Sequence, residues 1–451
     1  MGWPVVLGLF EAVLLGCFSL VACLTPWCQG ERSAARRALL LIVPWPIGFA
    51  LAFLLVLPLR PLLSLAVAGA SLVVSGLLFI PGRRPQGIRI LGPQPRVDER
   101  DLIFSRAHLR PGSERYRNYY ARRPAFKEKD ERWRTLPPLG TPGGRYFHPL
   151  LSRLPTACFS HLKALHPTVT GQVSSEQVKL PREEFTRLLK GVAHYLGVDL
   201  VGIAPLEEAY LYSHVGRGGD YGRPIELPHR WAVVLGVEMD WRAVQQAPTA
   251  ISLSESARQY ARVGQAALIL AGWLRALGYP ARAHIDGCYR LLVVPLAWEA
   301  GLGELGRLGC LLTPEFGPRV RWAAVSTDAP LQPDRPRAFG VQELCRRCRK
   351  CADSCPAGAI PSGEKELVRG VEKWVMDGDK CFFVWRKFGT DCGLCLRACP
   401  LSRPPLLWER LLRWALPRSA AARALFLAWD RLLYPARYTP LARPSDLPPW
   451  G

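Results

Sequence analysis

At 451 residues, 49% of them hydrophobic and with 15 Trp and 41 Pro, the chain has material for more than one compact unit and a sizeable buried core. The formal charge of +22 raises nucleic acid as a partner, but no helix-turn-helix, RNA-recognition or zinc-finger pattern accompanies it and the arginines are scattered. The charge fits a solvated face drawn to anionic lipid or to an acidic electron donor, and nucleic acid is set aside.

Three apolar stretches open the chain. Pro4–Leu24 carries Glu11 as its one charge, while Ala38–Leu59 and Pro61–Ile80 carry none. Each has about the twenty residues that cross a hydrocarbon core of roughly 30 Å. Only Arg60-Pro61 parts the second from the third, and Pro44, Pro46 and Pro58 bend the second, so two or three spans are expected over residues 1–84. The first stretch has no basic leading region and no cleavage site, which argues against a secretory signal. Arg36-Arg37 lies behind a complete apolar span and reads as a charged loop rather than a twin-arginine signal. Arg32, Arg36 and Arg37 follow the first span, Arg83, Arg84 and Arg89 follow the third, and Arg60 alone lies on the opposite side. The positive-inside bias makes this a multi-pass protein of the inner membrane with everything after residue 84 in the cytoplasm.

Residues 85–180 begin rich in Arg, Pro and Gly with little periodicity and are expected to wrap over another surface. Residues 181–335 alternate helical and strand patterns, which predicts a mixed α/β core. Arg182–Leu196 has an amphipathic helical period, and Ser254–Leu277 reads as a long helix opening on a Ser-Glu-Ser cap and stopping at Gly278-Tyr279-Pro280. Asp199–Ile203, Trp231–Val237, Tyr289–Pro295 and Val320–Thr327 are the strand candidates. The tail, residues 404–451, holds two basic amphipathic stretches that either lie on a membrane surface or cap the core.

Residues 336–403 carry eight of the fourteen cysteines in two runs. The first is Cys345-x2-Cys348-x2-Cys351-x3-Cys355-Pro356, and the second is Cys381-x10-Cys392-x2-Cys395-x3-Cys399-Pro400. A 4Fe-4S cubane takes three thiolates from one tight loop and its fourth from the other run. Cys345, Cys348, Cys351 and Cys399 then hold one cluster, and Cys355, Cys381, Cys392 and Cys395 the other, in a ferredoxin-like double 4Fe-4S domain. Structural zinc has no use for such cross-lending. Cys17, Cys23, Cys28, Cys158, Cys288 and Cys310 show no framework spacing and read as small apolar residues.

The segment Ala300–Gly309 is too glycine-dense for an ordinary helix and contains no nucleotide-binding fingerprint. It reads as a loop whose backbone approaches something flat and large. Together with Val97–Asp101, Pro111–Tyr116, Tyr119-Tyr120, the run Leu196–Ala204 and Thr327–Leu331, this loop and the cysteine runs resemble the corrinoid, iron–sulfur reductive dehalogenases, over about residues 95–403. Epoxyqueuosine reductases share cobalamin and two clusters, but their catalytic Asp-containing motif is not seen here. Respiratory dehalogenases carry a cleavable twin-arginine signal, from which this chain departs.

The resemblance implies a nitroreductase-like core that holds base-off cobalamin between the substrate pocket and the nearer cluster. Electrons from a ferredoxin-like donor or membrane quinol would pass through the clusters to cobalt, which cleaves the carbon–halogen bond of a small organohalide, and a tyrosine then protonates the carbon. On that pattern Tyr260 is the proton donor, with Arg319 the preferred neighbouring cation and Arg307 the second choice. Asp286 falls in the pocket where relatives carry Asn or Lys, which is a departure. Gly301, Gly303, Pro314 and Glu315 are the expected corrinoid neighbours. His284 supplies only half of a lower-ligand motif, since Arg282 stands where an Asp would, and it is not expected to bind cobalt. A reductase of a non-halogenated substrate and a membrane electron-transfer protein without a substrate are the alternatives.

Overall fold

The computed structural model of the chain describes residues 3–55 and 85–438, with a few isolated positions between. They fall into two compact units, residues 1–86 with Arg403–Arg437, and Gly87–Ser402 with the chain's last residues.

In the first unit, helices α1 (Trp3–Cys28), α2 (Arg32–Ile42) and α3 (Pro44–Leu55) follow one another. Among the described residues α1 alone is long and apolar enough to cross a membrane, over Phe10–Cys28, and its Phe10, Val13, Leu14, Phe18 and Trp27 are exposed. The second expected span is divided. Its first residues close α2, and Pro44 opens α3, in the first helical turn where a missing N–H costs no hydrogen bond. The third, Pro61–Ile80, lies outside the described residues apart from single positions.

The tail forms two helices, Leu407–Ala415 and Ala420–Leu433, and packs Leu433 and Tyr434 against Ala22, Ala34, Ala38 and Ile42. Small residues let the helices approach closely. A polar knot closes the contact. Gln29 Nε2 donates to Glu409 Oε2 at 2.8 Å and to the Pro404 carbonyl at 3.0 Å, and the Tyr434 hydroxyl donates to Gln29 Oε1. Arg403 pairs with Asp430 and lies 3.5 Å over the Tyr434 ring.

The second unit is built on strands β1 (Leu200–Pro205), β2 (Trp231–Glu238), β3 (Ala281–His284) and β4 (Val320–Thr327), antiparallel and ordered β1-β2-β4-β3. Both faces are covered, so the central strands read as continuous apolar runs. Along β2, Val233, Leu235 and Val237 enter one core while Ala232 and Val234 enter the other, as a period of two requires. The first core packs under helices α4 (Arg182–Tyr195) and α5 (Ala250–Ala276), through Phe185, Leu189, Val263, Ala267, Leu270 and Leu274. The second packs under α6 (Val293–Glu299). Gly236 faces Trp322 across the sheet, and a Cβ there would stand 2.6 Å from the indole, so the strand carries glycine where the ring needs room.

Three expectations change. Tyr289–Pro295 is not a strand; its second half starts α6, because a short apolar run fits either periodicity. The fourth strand is β3, too short to stand out. The segment expected as an extended wrap contains the helices Ile103–Ala107, Glu114–Arg122 and Lys127–Arg134, joined by side-chain bonds such as Tyr120 to Asp130 at 2.6 Å.

Leu270 lies fully buried between α5 and the sheet. Leu270→Ala is expected to cost about 2–5 kcal/mol through lost transfer energy and the cavity left behind, read as a lower thermal unfolding midpoint of the detergent-purified chain.

Candidate active site and cluster domain

The eight motif cysteines fall into two groups. Cys351 lies in the electrostatic field of Cys345, Cys348 and Cys399, while Cys392 lies in that of Cys381 and Cys355, and Cys395 in that of Cys392 and Cys381. Cys399 of the second run thus lies near the first-run thiols and Cys355 of the first run near Cys381 and Cys392, while Cys395 also lies near Cys310 and Cys351. Burial pushes the thiols of Cys345, Cys381 and Cys392 up to about 12. No disulfide links the cysteines, and among the described residues no three His, Cys, Asp or Glu close to single-ion geometry. The pairing of three thiols from one run with one from the other is the spacing of a polynuclear cluster, which zinc has no use for. Arg349 and Cys392 take positive φ angles of 55 and 57°, which bend the backbone around each group.

Arg307 braces the first group from outside. Its Nε donates to the Cys345 carbonyl at 3.1 Å, and its Nη1 donates to the Pro361 and Gly363 carbonyls, each at 2.8 Å, with the guanidinium 4.5 Å over Trp374. Glu304 holds the same region. It is fully buried, and its Oε2 accepts from the Phe339 and Val341 amides at the start of the cysteine-bearing helix Val341–Cys348.

Tyr260 lies on α5, whose N-terminal half is buried on all sides although it carries Ser252, Ser254, Glu255, Ser256 and Gln259. The Ser-Glu-Ser run is therefore no cap; the helix begins at Ala250, and Ser254 bonds back to the Ala250 carbonyl at 2.8 Å. The cation at Tyr260 is Arg321 of β4. Its Nε and Nη2 donate to Ser256 Oγ at 3.0 and 2.8 Å, its Nη2 stands 3.7 Å from Asp391 Oδ2, and its guanidinium lies 5.2 Å from the Tyr260 ring centre. Ser256 and Tyr260 are four residues apart and share a helix face, so one guanidinium meets both. Burial pushes the Tyr260 phenol up, and Arg321 pulls it back down.

The structure does not bring Arg319 or Arg307 to Tyr260. Arg319 is buried at the sheet's end, donating to the Ser402 and Met239 carbonyls and pairing with Glu238 at 2.7 Å. Asp286 and Tyr289 lie in the electrostatic neighbourhood of Tyr260, and Tyr212 in that of Tyr289; burial pushes all three up. Arg217 is set by Glu99, which accepts from Arg217 Nε at 3.0 Å and from the Gly216 amide at 2.7 Å. His284 is fully buried, with Nε2 2.8 Å from Ser326 Oγ and Nδ1 accepting from the Arg290 amide, so neither nitrogen is free for a metal.

The glycine loop behaves differently from the expectation. It forms the short hairpin Glu304–Leu305 with Leu311–Leu312. A Cβ at Gly301 would stand 2.4 Å from the Arg335 carbonyl, and one at Gly303 would stand 2.5 Å from that of Leu312. The close approach these glycines permit is thus to the chain's own backbone. Pro314 is half-buried and Glu315 exposed in the turn that follows. Sequence reasoning missed Arg321, Ser256 and Asp391; the available signal was the serine-rich stretch that reads as a helix cap.

Residues 344–402 match the 4Fe-4S dicluster domain family. The chain is 34% identical over 281 residues to a tetrachloroethene reductive dehalogenase of Desulfitobacterium hafniense, covering 52% of this chain and 49% of that one. A solved reductive dehalogenase structure, described as suggesting a mechanism for B12-dependent dehalogenation, superposes with a TM-score of 0.62 at 28% identity, over 78% of this chain and 48% of that one. The chain is similar to the corrinoid, iron–sulfur reductive dehalogenases over this part of its length. A catabolic reductive dehalogenase solved in complex with 3-bromo-4-hydroxybenzoic acid matches with a TM-score of 0.61 and 28% identity over the same shares. The chain spans about half the length of the curated dehalogenases it matches.

Burial raises the Glu304 carboxyl to about 7, against an ordinary value of 4.5. Because the folded state binds this proton more tightly, the contribution is full below pH 4.5 and is lost as pH rises towards 7, worth about 3 kcal/mol. Glu304→Gln is expected to flatten the fall of the unfolding midpoint across that range, measured by thermal melts at stepped pH.

Proposed function

We propose that this chain is a membrane-anchored, cobalamin-dependent reductive dehalogenase, which takes two electrons and one proton to convert a carbon–halogen bond into carbon–hydrogen and halide. The observation that carries the reading is the Tyr260–Arg321 pair, which lies in one electrostatic neighbourhood with Cys395 of the second cysteine group. A proton donor and an electron-delivering group then lie in one electrostatic neighbourhood. Electron transfer alone has no use for the former, which disfavours a relay without a substrate.

The residues fit the corrinoid that the family implies. Asp391 Oδ1 is buried and has no hydrogen-bond donor among the described residues, which suits a ligand bringing amide N–H groups, as the arms of a corrinoid do. Tyr260, Tyr289, Tyr212, Arg321 and Asp391 are the residues that would hold it. A bound corrinoid would supply the low-valent cobalt that breaks the carbon–halogen bond.

The chain's own part is positional and protic. Ser256 and Asp391 hold Arg321, and Arg321 opposes the desolvation that keeps the Tyr260 proton on its oxygen. Tyr260 therefore stays protonated at neutral pH and gives up its proton as negative charge develops on carbon; arginine suits the role because it stays charged when buried. The thiols of the two groups would hold 4Fe-4S clusters, which would supply one-electron chemistry fed by a low-potential donor, ferredoxin-like or quinol. Helix α1 and the arginines of α2 support anchoring in the inner membrane with the catalytic unit on the cytoplasmic side.

In the chain loaded anaerobically with iron, sulfide and cobalamin, Tyr260→Phe is expected to lower halide release at least about 100-fold, the scale of lost general acid catalysis, with iron and cobalt content retained. Ser256→Ala should lower turnover by roughly tenfold, the loss of one charge-assisted bond. Undiminished turnover in Tyr260→Phe would remove Tyr260 as donor, and absence of bound cobalt would remove the corrinoid.

A further inference from the structure

The tail helix Ala420–Leu433 has two faces that call for different partners. Ala422, Phe426, Leu427 and Leu433 are buried, and the two charges on that side are matched. Asp430 pairs with Arg403, and Arg423 Nη1 donates to the Leu416 carbonyl at 2.5 Å. On the outer side Ala424, Leu425, Ala428, Arg431 and Leu432 are exposed. Their spacing makes one continuous helical stripe, apolar but for Arg431 near its end.

The position of the helix says what covers that stripe. Leu433 packs with Ala22 of α1 and with Ala34, Ala38 and Ile42 of α2, and the Trp429 ring stands 6.0 Å from that of Phe18. Phe18 and Ala22 lie inside the apolar stretch Phe10–Cys28, and at 1.5 Å per residue they are about 15 and 9 Å along α1 from Cys28. A bilayer that takes in α1 therefore reaches this helix as well. Arg32, Arg36 and Arg37 are exposed on α2, which shares the contact, and they set positive charge beside it. The preceding helix adds exposed Leu411 and Trp414, with the Arg418 guanidinium 4.1 Å over the indole. Tryptophan beside arginine suits the boundary between acyl chains and headgroups.

We propose that Ala420–Leu433 is an interfacial helix whose inner face caps α1 and α2 and whose outer stripe lies on the acyl chains of an anionic phospholipid leaflet; this rests on the membrane-anchoring reading above. Arg410, Arg418 and Arg431, all exposed, then meet the headgroups. The chain holds the bilayer at α1 and again in the segment that directly follows the cysteine domain.

The test places the full chain in nanodiscs of phosphatidylglycerol and phosphatidylethanolamine that include a lipid with a diazirine in one acyl chain. After illumination, labelled positions are mapped by peptide mass spectrometry. Label is expected on α1 between Phe10 and Cys28 and, in the tail, on Leu425, Ala428 and Leu432 rather than on Phe426 and Leu427. Leu425→Gln combined with Leu432→Gln is expected to lower the tail labelling at least roughly threefold and to leave that of α1 unchanged. Label on α1 with none on the tail stripe, or tail labelling unmoved in the double variant, overturns the interfacial helix while leaving the anchor in place. No label on either helix overturns the anchoring reading and this inference with it.

Discussion

One guanidinium holds the proposed chemistry together. Arg321 reaches from the central sheet to a serine of the long helix and to the carboxylate that directly precedes Cys392, and it lies over the tyrosine one helical turn beyond that serine. Three segments distant in sequence are thereby fixed to one another at a single charge. An arginine suits this because its planar fork directs several donors at once and its charge survives burial, which a lysine's would not. Without it the phenol would sit in an apolar setting with nothing to favour release of its proton.

Legibility from sequence followed the range of the interactions involved. The cysteine groups were readable because their spacing is local, a matter of three residues between thiols, and the cross-lending follows from the ligand count. The central strands β2 and β4 were readable because burial on both faces leaves apolar runs, and the long helix because its apolar positions keep a helical period. Arg319 and Arg321 could not be told apart, since they are two positions apart and so point the same way from an extended chain. What separates them is tertiary: Arg319 ends beside Glu238 and the Ser402 carbonyl, Arg321 beside Ser256. The glycine loop misled for a related reason. A glycine shows that something comes close, but not whether that is a ligand or the chain's own carbonyls, and at Gly301 and Gly303 it is the latter.

The polar residues of the buried helix carry a broader lesson. Ser252, Ser254, Glu255, Ser256 and Gln259 would be a liability in an ordinary core, because each buried polar group needs a partner. Here the partners are found: Glu255 accepts from the Asp240 amide at 2.7 Å and from Gln259 at 2.8 Å, and Ser256 receives Arg321. A helix that violates the simple hydrophobic pattern in this way marks where the fold gives up packing for a site.

The contact between the two chain ends has a bearing on biogenesis. Helices α1 and α2 are made before the tail, yet Leu433 and Tyr434 pack on the surface formed by Ala22, Ala34 and Ala38, and Gln29 meets Glu409 only after some 380 further residues have been made. The N-terminal bundle therefore stays incomplete throughout synthesis of everything that lies between. A chain cut short before residue 433 would expose that surface however well its redox portion had folded.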